Sequence, residues 1–354
     1  MDHQLQAFGL NPEEYELVKF GSGHINHTYL VRSLTGKPDF ILQKINTYVF
    51  KTPEDIARNL ENTAEFLAAH YPDYLFISPV KTLSGEGLMI DNGEYWRLSP
   101  FIRGSFSINE ASDPEQSYEA ARQFGILTRN LHGMPVSELN PTIPGFHDLA
   151  WRFEQFKEAI AHASEERKST AAELIASFQG RQALVDQYIQ IIEDKDYPQR
   201  MIHHDTKINN VLFDKKTQKG LCVCDLDTLM PGKIISDLGD MVRTYVCEES
   251  EESTAFDKIK VREPYYEALM KGYLSEMKDL LTDSEKASLF YSGQFMIYMQ
   301  GLRFLSDYLN NDVYYPIKYP EHNLNRAKNQ LALLEDLEGK KEVLEGVIGG
   351  ILGE

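Results

Sequence analysis

Two stretches carry side chains whose types and spacing suit catalysis. Met201-Ile-His-His-Asp-Thr-Lys-Ile-Asn-Asn-Val-Leu-Phe-Asp214 places His203-x-Asp205-x-x-x-x-Asn210 between apolar flanks. Leu221-Cys-Val-Cys-Asp-Leu-Asp-Thr228 follows a turn at Gly220 and reads as a short strand ending on Asp225. A carboxylate, then an amide five residues later, then a second carboxylate fifteen residues on across a hairpin is the layout of a phosphoryl-transfer loop. In that chemistry Asp205 takes or orients the proton of an acceptor hydroxyl. The amide oxygen of Asn210 and the carboxylate of Asp225 hold Mg²⁺ against nucleotide phosphates, because hard oxygen donors suit that ion. The His203 spacing alone also fits a polar loop with a capping Asp and an Asn turn. The apolar run from Leu221 and the position of Asp225 favour phosphoryl transfer.

These residues need a scaffold, and the chain changes character along its length. Residues 1–102 are strand-rich and read as a nucleotide-binding lobe; residues 103–354 are mainly helical and read as a catalytic and acceptor-binding lobe. The expected class is therefore α+β: a small antiparallel sheet with one helix, then a larger helical part. Asn11 caps a short turn at Pro12. Val18-Lys-Phe-Gly21-Ser-Gly23-His24-Ile-Asn26 onward to Val31 reads as strand, glycine-rich turn, strand, with Gly21 and Gly23 letting backbone N–H groups approach phosphates. Asn26 stands where a third glycine would complete the common pattern, and Gly-x-Gly alone is equally a hairpin turn. Phe40 to Ile45 alternates as a strand. Lys44 on it is a candidate phosphate contact, but Gln43 and Lys44 face opposite sides and only one can face the cleft.

Pro53 to His70 carries a helical apolar stripe, with Glu61 and Glu65 as possible partners for the strand cation or as a wetted face. Tyr74 to Pro79 and Val80 to Leu83 lead into two expected hairpins, at Ser84-Gly-Glu-Gly87 and at Asp91-Asn-Gly93, the latter a strong two-residue signal. A last strand leads to Phe101 and Gly104, where linker backbone would meet an adenine. Helices are expected over 113–132, from 145 onward, over 165–178, 181–193, 263–278 and 283–309, and from 320. Asp237 and Asp240 are read as structural, either as braces that accept backbone N–H bonds from the catalytic loop or, for Asp237, as an ordinary N-cap. Cys247 to Glu252 reads as a solvated acidic loop. Arg303 and Asp307 lie one helical turn apart, at salt-bridge spacing.

Composition bounds the rest. The 354 residues are 42% hydrophobic and 25% charged, ordinary for a globular protein. There is no run of apolar residues long enough to span a membrane, and Met1 to Gln6 does not open as a signal peptide. Three cysteines is an odd count, and Cys222 and Cys224, alternating on one strand, read as two buried thiols and not a disulfide, with a reducing cytoplasm as the setting. A net charge of −18 disfavours nucleic acid and anionic membrane as partners, and requires a local positive pocket or Mg²⁺ for a nucleotide. A sulfatase would need Cys/Ser-x-Pro-x-Arg; Ser112-Asp-Pro114-Glu-Gln116 lacks the arginine.

Taken together, these strings resemble the aminoglycoside phosphotransferase/choline kinase family, whose fold is similar to that of protein kinases. The resemblance runs from Gly21 to about Tyr315. Within it, His204-Asp-Thr-Lys-Ile-Asn-Asn-Val211, Asp225-Leu-Asp-Thr-x-Met-Pro-Gly232, Gly23-His-Ile-Asn26 and Leu42-Gln-Lys-Ile-Asn46 are similar to the N-acetylhexosamine 1-kinases. The resemblance implies ATP, Mg²⁺ and transfer of a phosphoryl group to the anomeric hydroxyl of N-acetylglucosamine or N-acetylgalactosamine. It implies Asp205 as base, Asn210 and Asp225 as Mg²⁺ ligands, and His24, Arg303 and Tyr314 as sugar contacts, with Asp227 open between metal and sugar. The alternative acceptors in the same family are choline, ethanolamine, homoserine, methylthioribose and aminoglycosides.

Overall fold

The computed structural model describes residues 1–21 and 26–353. The first part is a five-stranded antiparallel sheet of β1 (Tyr15–Lys19), β2 (His27–Ser33), β3 (Phe40–Ile45), β4 (Met89–Asp91) and β5 (Glu94–Pro100), in the order β1-β2-β3-β5-β4. Short helix α1 (Asp2–Ala7) covers one face: Leu5 and Phe8 pack on Val31, Leu42, Trp96 and Leu98. Helix α2 (Pro53–His70) covers the other through Ile56 and Leu60, which share a core with Ile45 and Phe50. The β4–β5 hairpin turns on Asn92 and Gly93, both at positive φ, as the Asn-Gly pair predicts. Residues 76–82 form no strand, so the chain turns at 84–87 without the expected hairpin. Val80 N–H reaches the Leu98 carbonyl at 2.7 Å, but no ladder follows.

The second part carries α3 (Pro114–Asn130), α4 (Leu149–His162), α5 (Glu165–Thr170), α6 (Ala172–Gln179) and α7 (Gln182–Glu193). After the catalytic segment come α8 (Ile235–Tyr245), α9 (Glu263–Met277), α10 (Asp283–Ala287), α11 (Leu289–Leu309), α12 (His322–Gly339) and α13 (Lys341–Leu352). Two expected helices are broken. The 165–178 helix divides at Ala171, and 283–309 divides at Ser288, where the capping box of Thr282 and Glu285 closes a separate short turn. Glu285 then grips the buried Arg200 guanidinium at both oxygens, 2.7 and 2.8 Å, so α10 anchors the strand that enters the catalytic segment. Central α11 is buried nearly all round, which is why its sequence is apolar without a clear stripe. Among the described residues no helix is long and apolar enough to cross a membrane, and Cys222, Cys224 and Cys247 are free thiols.

The acidic stretch after Cys247 is not simply solvated. Glu252 accepts from Arg326 Nε at 2.8 Å and Lys318 Nζ at 3.1 Å, and lies 2.7 Å from His322 Nε2, tying this loop to α12. Burial alone would raise its pKa, but Arg326, Lys318 and His322 outweigh it and hold the carboxyl at about 2, against an ordinary 4.5. A depressed carboxyl pKa contributes stability above 4.5 that is lost as pH falls towards 2. Glu252→Gln is therefore expected to lower unfolding free energy by about 1–3 kcal/mol at neutral pH. In denaturant titrations the gap to wild type should close across that acid window; a gap independent of pH would remove the ionic account.

Candidate active site

The catalytic segment is a set of short strands and tight turns: β6 (Ser105–Phe106), β7 (Arg200–Ile202), β8 (Val211–Asp214), β9 (Gly220–Val223) and β10 (Met230–Gly232). β8 and β9 form the expected hairpin, and β10 pairs with β7 so that Met230 faces Ile202. That pairing closes the chain on itself and brings residues 203–210 against 224–229. Gly232 is required at the crossing, since a Cβ there would lie 2.5 Å from His204 Nε2. Asp225 adopts a left-handed φ of 56°, a conformation Asp tolerates better than most residues.

Asp205 and Asn210 are joined directly. Asn210 Nδ2 donates to the Asp205 carbonyl at 2.8 Å and to its carboxylate at 3.1 Å, which leaves the amide oxygen uncommitted by that bond. The Asn210 carbonyl accepts from Cys224 N–H at 2.8 Å, fixing Asp225 beside it. Lys207 Nζ lies 3.3 Å from the other Asp205 oxygen. Burial would raise the Asp205 carboxyl, but Lys207, His203 and Asn210 pull it below its usual value, so it is ionised at neutral pH. Asp225 goes the other way: burial, then the charges of Asp227 and Asp205, push it up to about 6. Three carboxylates thus crowd one place and call for positive charge. Among the described residues no cluster of three or more His, Cys, Asp or Glu could hold a metal. Asn210 and Asp225 could offer two oxygen donors, a set of the kind that suits Mg²⁺ shared with phosphate oxygens.

The loop is held from below by α8. Asp237 is fully buried and accepts from His203 N–H at 2.9 Å and His204 N–H at 2.7 Å; Asp240 accepts from Thr206 N–H at 2.9 Å. Both expected braces are therefore present as geometry. They secure His204 at φ 66°, a strained position for a non-glycine residue. Thr228 Oγ1 donates to the His203 carbonyl and Tyr245 Oη to the Thr206 carbonyl, completing the cradle.

The remaining sequence candidates fall in different places. Gly21 has φ 76°, and its neighbour Phe20 meets Phe101 edge-on at 5.8 Å, so the start of the glycine-rich turn and the linker adjoin. Gly23 and His24 lie outside the described residues. Lys44 is not brought to the carboxylates. It pairs with Glu94 on the α1 side of the sheet, because β3 register gives the α2 side to Gln43. Glu61 pairs with Lys81, not with a strand cation. Among the described residues, the sheet cation that reaches the carboxylates is Arg97 of β5, cross-strand from Gln43 and 2.5 Å from Asp227. Asn26 donates to the other Asp227 oxygen at 2.7 Å.

Arg303 and Tyr314 line a cavity of about 370 Å³ with Arg152, Gln155, His162, Asp307 and Tyr315. The expected Arg303–Asp307 salt bridge does not form. Asp307 accepts instead from the N–H groups of Tyr314 and Tyr315, at 2.8 and 2.9 Å, and from Asn323 at 3.0 Å. Arg303 donates to Gln300 at 3.1 Å and sits over the rings of Phe146 and Tyr315 at 5.7 and 5.6 Å. Phe146 stacks on His147, whose ring lies 5.5 Å from that of His204, so a chain of ring contacts runs from Arg303 to the catalytic loop. Burial, then His204 and nearby arginines, keep His147 neutral. Sequence reading missed Arg97, Arg152 and His147. Only Arg97 left a trace, as a cation on the strand that could face Gln43.

Comparison with known proteins follows the same lines. The profile described as a phosphotransferase enzyme family matches residues 16–278. A microcompartment-associated aminopropanol kinase superposes with a TM-score of 0.64 at 16% identity, over 97% of each chain. A spectinomycin phosphotransferase solved with ADP and spectinomycin superposes at 0.59 and 14% identity, over 95% of this chain and 97% of its own. A choline kinase from Cryptosporidium parvum Iowa II gives 0.55 and 15%, over 96% and 92%. At these identities the likeness is one of fold: a small antiparallel sheet lobe and a larger helical part.

Proposed function

The chain belongs to the phosphotransferase enzyme family, and within that premise we propose that it transfers the γ-phosphoryl group of ATP to the anomeric hydroxyl of an N-acetylhexosamine. Residues 1–102 serve the nucleotide and 103–354 the acceptor. The glycines Gly21 and Gly23 and the linker at Phe101 bind ATP. Asp205 is the base and Asn210 and Asp225 hold Mg²⁺, which when bound neutralises phosphate charge. His24, Arg303 and Tyr314 contact the sugar, and the setting is cytoplasmic.

The chemistry asks little of the base. A hemiacetal hydroxyl is more acidic than a simple alcohol, so the ionised Asp205 carboxylate suffices to orient it and receive its proton late in transfer. Lys207 and Asn210 each engage one Asp205 oxygen and limit its rotation. Most of the acceleration then comes from alignment of acceptor and phosphate.

The observation that carries the acceptor class is the charge of the 370 Å³ cavity. Arg152 and Arg303 face it together, and burial, then Arg303, lower the Arg152 pKa to about 10. Of the cavity's two carboxylates, Asp307 is spent on three N–H donors, and Glu158 is exposed to solvent. A quaternary or primary ammonium acceptor such as choline or ethanolamine is the second reading, favoured by the aromatic rings of Phe146 and Tyr315. Those rings already carry the Arg303 guanidinium, which an ammonium would have to displace. A neutral sugar with an amide group avoids that conflict.

A coupled ADP-release assay with Mg·ATP tests both readings. Turnover is expected on free N-acetylglucosamine or N-acetylgalactosamine and should vanish on their 1-O-methyl glycosides. Turnover on choline or ethanolamine alone would transfer the proposal to the second reading.

A further inference from the structure

Arg97 is 4% exposed and paired with Asp227 beside Asp205 and Asp225, yet part of its hydrogen-bonding capacity is unused. Its Nη2 donates to Gln43 Oε1 at 2.7 Å. Its Nη1 lies 2.5 Å from Asp227 Oδ1 without hydrogen-bond alignment. Among the described residues, neither Nε nor Nη1 has a hydrogen-bond acceptor, and Asp227 Oδ1 has no donor. A buried guanidinium with open donors is costly, and its fork geometry matches paired phosphate oxygens.

We propose that Arg97 is the sheet's nucleotide-phosphate contact, taking acceptor oxygens from the α- and β-phosphates, with Asp227 as its counter-ion when no nucleotide is bound. The proposal rests on the ATP-dependent reading above. Gln43 and Arg97 are cross-strand neighbours on one face of the sheet, so a cation on β5 reaches the space that a cation at position 43 of β3 would fill. Gln43 orients the guanidinium where a lysine would itself have been the charge. Lys44 cannot substitute, since it points to the α1 side and is engaged by Glu94. Asn26, just before β2, bonds the same Asp227, so the entry to β2, β5 and the turn after β9 meet at this ion pair. Triphosphate arriving beside Asp205, Asp225 and Asp227 brings more negative charge to an acidic place. Arg97 is the buried cation positioned to offset it, whereas Lys207 is half-exposed and committed to Asp205.

Titration calorimetry with adenosine, ADP and ATP, with no acceptor present, tests this. Arg97→Met is expected to weaken ADP and ATP by about 10- to 100-fold, the range of lost charge-assisted hydrogen bonds, while adenosine binds as to wild type. Arg97→Lys keeps the buried charge opposite Asp227 and guards against misfolding; it should bind adenosine normally and ADP with an intermediate loss. Gln43→Lys added to Arg97→Met should recover ADP affinity, because it returns a cation to the same face. Lys44→Met is the comparator and should retain more ATP affinity than Arg97→Met. Equal ADP affinity in wild type and Arg97→Met would overturn the proposal. So would parallel loss of adenosine and ADP, which would make Arg97 a structural strut. A wild type that binds no ATP would overturn the ATP-dependent reading and this proposal with it.

Discussion

Asp205→Asn should lower kcat by about 10²–10⁴-fold, the usual worth of a positioned base, while the fold and nucleotide affinity survive. The substitution preserves shape and volume but removes the charge that engages Lys207 on one side and Asn210 on the other. Asparagine cannot accept the acceptor proton. Its amide must also present a nitrogen either to Lys207 or to the Asn210 amide, so one of the two orienting contacts is lost. Nucleotide affinity should hold or rise, because one of three neighbouring carboxylates facing the phosphates is gone. Steady-state kinetics with saturating acceptor, alongside ADP binding, separates these effects. A kcat within threefold of wild type would end the assignment of Asp205 as base. A parallel loss of ADP affinity would make it a binding residue instead.

Asp237→Ala should be the most damaging change for stability among the residues that never touch substrate. The Asp237 carboxylate is fully buried and takes two backbone N–H groups, those of His203 and His204. Burial pushes its pKa up to about 6, against the pull of His203 and those two donors. Removal strands both donors in a dry interior and opens a void. At about 1–3 kcal/mol per unsatisfied group, the expected loss is about 3–5 kcal/mol in unfolding free energy. His204 is then free to leave its left-handed conformation, and Asp205 follows it. A chemical-denaturation midpoint and kcat should therefore fall together, with KM for ATP changed less. Stability unchanged from wild type would mean that the loop is held by Asp240, Thr228 and Tyr245 without it.

The parts legible in the sequence are those built from neighbours in the chain. Asp205, Asn210 and Asp225 lie within one loop and one hairpin, so their joint geometry follows from a turn at Gly220 and a pairing of short strands. The Asn-Gly hairpin, the Asn11 cap and the apolar stripe of α2 are local in the same sense. The acidic braces were legible only as structural carboxylates, since Asp237 read equally as an N-cap, and the fold alone sets it against the N–H groups of His203 and His204. The divided helices were less so, since a break at Ala171 or Ser288 depends on what the next helix packs against, not on propensity.

Long-range choices belonged to the tertiary structure. Gln43 and Lys44 are equally good strand residues; the α1 layer buried against Leu42 and Trp96 decides that Lys44 faces away from the carboxylates. A one-residue shift would have reversed it. Arg303 and Asp307 have ideal helical spacing, yet the backbone of Tyr314 and Tyr315 takes the carboxylate first, and the arginine turns to Phe146. The sequence by itself determined which carboxylates and which amide meet in one loop and hairpin, because their spacing is encoded in contiguous chain. Which cation answers them was decided only when β5 met β3 in register and set Arg97 against Asp227, a pairing of residues far apart in the chain that no local pattern specifies.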